Sequence, residues 1–124
     1  MKPIDIIEEW IIRFNAADAA GLVQLYSPDA VNDQVVFSTP LKGRNAIKKM
    51  FEIEFGRAKM VCIKEHIHES GDWVILEWRD PMGLRGCGFF EIKNEQIISQ
   101  RGYFDQLTFF RMQGLPLPDD YLDT

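Results

Sequence analysis

The hydrophobic period of this chain changes once, near residue 60, and that change limits the folds open to it. Before it, apolar residues recur at spacings of three and four, as one face of a helix requires; after it they alternate, as a half-buried strand requires. Residues 3–16 carry Ile4, Ile7, Trp10, Ile11 and Phe14 on one helical face, with Pro3 in the first turn and acids close behind it. A second helix is predicted from Asp18, a good N-cap, through Leu22, Leu25 and Tyr26, stopping at Ser27-Pro28-Asp29 because the residue before proline avoids helical geometry. An extended piece over 30–37 follows. The stretch from Ser38 to Gly43 then opens a third helix with Ile47, Met50 and Phe51 on one face and Gly56 as its stop.

Residues 60–68 place Val61, Ile63 and Ile67 on one face of a strand and Cys62, Lys64, His66 and His68 on the other. Residues 73–80 are apolar on both faces at their start, which predicts a central strand covered on both sides. Turns at 69–72, 80–83 and 94–95 separate these from strands over 84–93 and 96–107, giving a four-strand antiparallel meander. Helices first and one curved sheet last make an α+β domain. The tail from Gly114 to Asp120, with two prolines, is expected to lie extended across the surface.

A chain of 124 residues has room for one domain, 1–124, and its nine Phe, three Trp and three Tyr supply a core without a disulfide or metal staple. A net charge of −5 with no basic run argues against nucleic acid or an anionic membrane as a partner. No stretch approaches the ~18 apolar residues of a membrane span. The first residues lack a signal-peptide core, so a cytoplasmic location is expected. Cys62 and Cys87 lie far apart and read as reduced thiols. Neither a phosphate loop nor a nucleotide fingerprint occurs, and no cofactor is expected.

Five segments in order carry a resemblance: Phe14-Asn15-Ala16-Ala17-Asp18, Leu25-Tyr26-Ser27-Pro28-Asp29-Ala30-Val31, Pro40-Leu41-Lys42-Gly43-Arg44-Asn45-Ala46-Ile47, Phe90-Glu91-Ile92-Lys93-Asn94-Glu95-Gln96-Ile97 and Tyr103-Phe104-Asp105-Gln106-Leu107. Together they resemble the nuclear transport factor 2 superfamily and, within it, the SnoaL-like proteins. The resemblance implies a cone of curved antiparallel sheet closed by three N-terminal helices, an apolar pocket for a small hydrophobic molecule, and a homodimer through the outer sheet face. Function on such a fold is set by the pocket residues.

Two enzymes of the superfamily define what those residues would need to be. In ketosteroid isomerases a helix tyrosine, a strand aspartate base and a second acid do the work, and their positions fall here on Trp10, Gln34 and near Phe89. An amide cannot take up a proton near neutral pH, so that isomerisation is not expected. Limonene epoxide hydrolases use an aspartate–arginine–aspartate set with a tyrosine and an asparagine. Asp80 and Trp78 fall on the first two positions, Gly102 on the second aspartate, and Asn32 and Gln34 on the last pair.

The SnoaL-like cyclases, similar to this chain in its last strand, use an acid of that strand without a cofactor. Asp105 or Asp80 is the corresponding acid/base, with Asn32, Gln34, Arg101 and Tyr103 as orienting groups and Trp10, Phe14 and Trp78 among the pocket walls. Each acid also has a structural alternative. Asp105 can end its strand and cap the next turn, or pair with Arg101; Asp80 can open the Pro81–Gly83 turn. A second functional class, a non-catalytic binder or dimerisation module, follows from the loss of both enzyme sets. His66 and His68 share a face but supply only two metal ligands, so no metal is expected. Gly86 and Gly88 suit a bend or a close approach, and Trp73 and Ile75 suit the dimer face.

Overall fold

A computed structural model describes residues 1–37 and 39–116. Helices α1 (Pro3–Asn15), α2 (Ala19–Val23) and α3 (Arg44–Arg57) precede the long strands β3 (Ile63–Ser70), β4 (Trp73–Arg79), β5 (Arg85–Lys93) and β6 (Gln96–Phe104). Strands β1 (Tyr26–Gln34) and β2 (Leu41–Lys42) lie between α2 and α3, and α4 (Gln106–Gln113) follows β6. All six strands form one sheet in the order β2-β1-β6-β5-β4-β3.

The meander β3–β6 is antiparallel throughout, but β1 joins it parallel to β6, so the sheet is mixed. Its inner face packs against α1 and α3 through Ile7, Trp10, Leu22, Tyr26, Ile47, Phe51, Leu76 and Phe90, all buried. Asn15, at the end of α1, donates its amide to the Cys62 carbonyl at 3.0 Å and accepts the Cys62 N–H at 2.7 Å. That two-way bond pins the segment leading into β3 against the helix.

Several boundaries differ from the sequence expectation, among them β3, which runs over 63–70 rather than 60–68. Helix α2 ends at Val23 and Tyr26 already opens β1, with Pro28 inside the strand. The β1–β6 register breaks between Tyr26 and Val31, and such an irregularity tolerates a residue without an N–H. Gly56 lies within α3, whose C-cap is Ala58. The last strand stops at Phe104, because the Asp105 side chain accepts the Leu107 and Thr108 N–H groups and starts α4 instead. Gly114, expected to open the extended tail, instead takes the left-handed conformation, φ 66°, that caps α4. Residues 117–120 of that tail and Ser38 lie outside the described residues.

Candidate functional site

The inner sheet face and the helices enclose a cavity of about 590 Å³. Strand pairing sets its floor in rows: Leu76, Gly88, Gly102 and Gln34 align across β4, β5, β6 and β1, with Val74, Phe90, Gln100 and Asn32 alongside. Glycines at 88 and 102 leave the trough open. A Cβ on Gly102 would overlap the Gln34 amide, and one on Gly86 would stand 2.6 Å from Trp78 Cζ2. These glycines are where the Gln34 amide and the Trp78 indole lie against the sheet.

Trp10, Phe14, Asn32, Gln34, Trp78 and Asp80 all line this cavity. Arg101, Tyr103 and Asp105 do not, because alternate residues of a strand face opposite ways and Gln100, Gly102 and Phe104 hold the inward positions. Arg101 lies on the outer face, its guanidinium 5.1 Å from the Trp73 ring centroid and 5.6 Å from that of Phe89. Tyr103 is exposed and meets Phe89 edge-on. Phe89 itself faces outward, so the cavity neighbours on β5 are Gly88 and Phe90.

Asp105 is exposed, beside a shallow outer groove with Glu65 and Cys87. Its carboxylate accepts from the Thr108 hydroxyl as well as two backbone N–H groups, and these bonds, the hydroxyl first, hold its pKa below the ordinary aspartate value. A carboxyl so placed caps a helix, as the structural alternative has it; it is not an acid/base of the cavity, nor is it paired with Arg101. Asp80 takes the turn position expected of it and also borders the cavity. One oxygen, Oδ1, accepts the Met82 and Leu84 N–H groups at 2.9 Å each and builds the β4–β5 turn, while the residue borders the cavity.

A polar chain crosses the apolar interior. Trp10 Nε1 donates to the Tyr26 hydroxyl at 2.9 Å, and that hydroxyl donates to Gln100 Oε1. Burial raises the Tyr26 pKa above its ordinary value, so the phenol stays protonated and remains a donor. Gln34 Nε2 donates to Asn32 Oδ1 at 2.7 Å. Asn32 Nδ2 is buried with no acceptor among the described residues.

Glu54 escaped the sequence reading. It stands on α3 three residues after Phe51 and four after Met50, hence on the same face, and it lines the cavity. Burial pushes its pKa up, opposed by the charge of Arg57, so the carboxyl holds its proton to higher pH than an exposed glutamate. Cys62 also lines the cavity, but burial lifts its thiol to about 12, which leaves almost no thiolate at neutral pH.

His66 and His68 lie outside, on the exposed face of β3, where His68 Nε2 meets Glu77 Oε2 at 2.7 Å. Among the described residues no cluster of three His, Cys, Asp or Glu has metal-binding geometry. The chemistry on offer in the cavity is an apolar enclosure, an amide floor and two carboxyls, Glu54 and Asp80.

A model of the SnoaL-like domain matches residues 7–100. The chain belongs to the SnoaL-like domain family. No curated protein matches it in sequence. Solved structures share the fold of this SnoaL-like chain at low identity. A protein of ketosteroid isomerase-like fold from Catenulispora acidiphila, in complex with trimethylamine, is 17% identical with a TM-score of 0.82 over 94% of this chain and 96% of its own. An NTF2-like protein of unknown function from Cytophaga hutchinsonii is 17% identical, with a TM-score of 0.77 over 89% and 96% of the two chains. An epoxide hydrolase of M. tuberculosis, similar to limonene epoxide hydrolase, reaches 24% identity and 0.74 over 91% and 88%. The SnoaL-like cone is thus the fold of this chain. None of its described helices is long and apolar enough to cross a membrane.

Proposed function

We propose that this SnoaL-like protein binds a small hydrophobic molecule in the cone and acts on it without a cofactor, by proton transfer of the cyclase, isomerase or hydrolase kind, with Asp80 as the acid/base. The observation that carries this reading is a cavity of about 590 Å³, walled mainly by aromatic and aliphatic side chains, with a carboxyl at its edge. Asp105, capping α4 outside, has no part in it. The competing reading is a non-catalytic binder, favoured by the turn bonds that already occupy Asp80 Oδ1.

Asp80→Asn separates the two, because the amide oxygen still accepts both turn N–H groups. The substitution is expected to leave the melting temperature within about 2 °C. Exchange of the acetyl hydrogens of 2-acetylnaphthalene with D2O, followed by NMR, is expected to slow at least about 100-fold. Equal exchange in both proteins, or none above buffer in the wild type, supports the binder.

The homodimer belongs to the same proposal. Half-buried Trp73, Ile75 and Phe89 form an apolar stripe on the outer face of β4 and β5, flanked by Arg101 and Glu77. Trp73→Glu is expected to shift sedimentation from dimer to monomer, and an unchanged dimer would place the contact elsewhere. Two free cysteines, Cys62 and Cys87, support the cytoplasmic location included in this reading.

A further inference from the structure

Glu54 brings a carboxyl to the inner face of α3, and no side chain of the described residues answers it. Ile47, Phe51, Glu54 and Ala58 recur at spacings of four, three and four, so Glu54 holds a core position of the helix, one turn beyond the buried Phe51. Met50, Phe51, Glu54 and Ala58 all line the cavity, whereas Glu52 and Ile53 are exposed, so this face of α3 looks into the cone. The Glu54 carboxylate has no hydrogen bond or ion pair among the described residues, and the exposed Arg57 acts on it only through space. Unlike the sealed Asn32 Nδ2, both Glu54 oxygens keep accessible surface. Burial raises the Tyr26 pKa, the Trp10 bond opposes it, and the Glu54 charge adds to the rise, so the field of the carboxylate reaches the buried phenol.

A carboxylate taken out of water without a partner is costly, and a cation in the cavity would offset that cost. Glu54, Asp80 and Lys59 are the charged residues of the lining, and Lys59 is exposed in the loop after α3, so the interior carries net negative charge. Phe51, one turn back from Glu54, meets Phe14 edge-on at 6.3 Å, and Phe14 stacks on Trp10 at 4.9 Å. Aromatic rings attract a cation where aliphatic walls do not. An anionic group would be repelled here, and a purely apolar one would leave the carboxylate unanswered. We propose that the cavity takes an apolar molecule carrying a basic amine, held as its ammonium by the Glu54 carboxylate beside the aromatic wall of Trp10, Phe14 and Phe51. The inference rests on the proposed small-molecule role of the cavity and narrows its ligand class.

The test is a pair of probes of the same shape, 2-(dimethylaminomethyl)naphthalene, an ammonium near neutral pH, and 2-isobutylnaphthalene, in which N–H+ is exchanged for C–H. In equilibrium dialysis against the full chain, the amine-to-hydrocarbon affinity ratio is expected to fall at least about tenfold in Glu54→Gln, which keeps the shape of the side chain. Glu52→Gln removes an exposed charge of the same helix and is expected to leave the ratio unchanged. In the wild type, the Glu54 Cδ resonance is expected to titrate at lower pH with the amine bound and at unchanged pH with the hydrocarbon. That readout decides the matter even if Glu54→Gln does not fold. If both probes bind, but the ratio is the same in Glu54→Gln or falls as far in Glu52→Gln and the Glu54 titration is unmoved, the anchor is overturned while the cavity reading stands. If neither binds, the cavity reading fails and this inference with it.

Discussion

Tyr26→Phe is expected to lower stability by about 3 kcal/mol, far more than loss of one exposed hydroxyl. Tyr26 is fully buried, and its hydroxyl receives the Trp10 N–H and donates to Gln100. Phenylalanine keeps the ring and its packing but leaves one buried donor and one buried acceptor unpaired, and each costs about 1–3 kcal/mol. Chemical denaturation should show the loss as a lower midpoint at unchanged slope. A loss below about 1 kcal/mol would mean that water replaces the hydroxyl, and the chain from α1 to β6 would then be no part of what holds the cone.

The second large effect is expected from Gly86→Ala. Strand propensity alone favours alanine over glycine by roughly 0.5–1 kcal/mol. The local geometry reverses that sign. A Cβ at position 86 would sit 2.5 Å from the Tyr103 carbonyl oxygen and 2.6 Å from Trp78 Cζ2, so neighbouring backbone and a half-buried indole must both yield. A loss of about 3 kcal/mol is expected, the upper end for overpacking. Gly56→Ala is the matched control. That position lies inside α3 with nothing within 4 Å of the added carbon, and alanine there is expected to gain about 1 kcal/mol. If both substitutions stabilise, Trp78 is free to leave the sheet and the cavity wall is softer than described.

These positions mark what could be read from sequence. Helix α1, α3 and the meander were legible because their apolar residues follow one period for two turns or more. The parallel pairing of β1 with β6 was not, since partners about 70 residues apart leave no local pattern. Helix α4 carried readable signals, Asp105 as N-cap, Arg111 in the last turn and Gly114 as C-cap, but Leu107 to Phe110 continues the apolar run of β6 and masks them. The sequence predicts too long an α2 because Pro28 is a strong stop signal, whereas β1 begins two residues before it.

The site divides in the same way. Asn32 and Gln34 differ by two and share the inner face. Arg101 and Tyr103 share a face as well, but whether it is the inner one depends on strand register, where a shift of one residue would invert every side chain. Glu54 was available from the helical face it shares with Met50 and Phe51, yet no superfamily position pointed to it. The orphan N–H of Asn32 needed coordinates, because it depends on which way two amides turn.

On the proposed function, the cone holds a binding site for a small apolar molecule. Methyl NMR of the wild type titrated with 2-acetylnaphthalene tests it most directly. Shifts are expected at the cavity methyls of Met50, Met60, Leu76 and Leu84, with Ile12 and Ile75 on the outside unmoved. Shifts confined to Ile75 and its neighbours, or none up to the solubility limit of the probe, would contradict it.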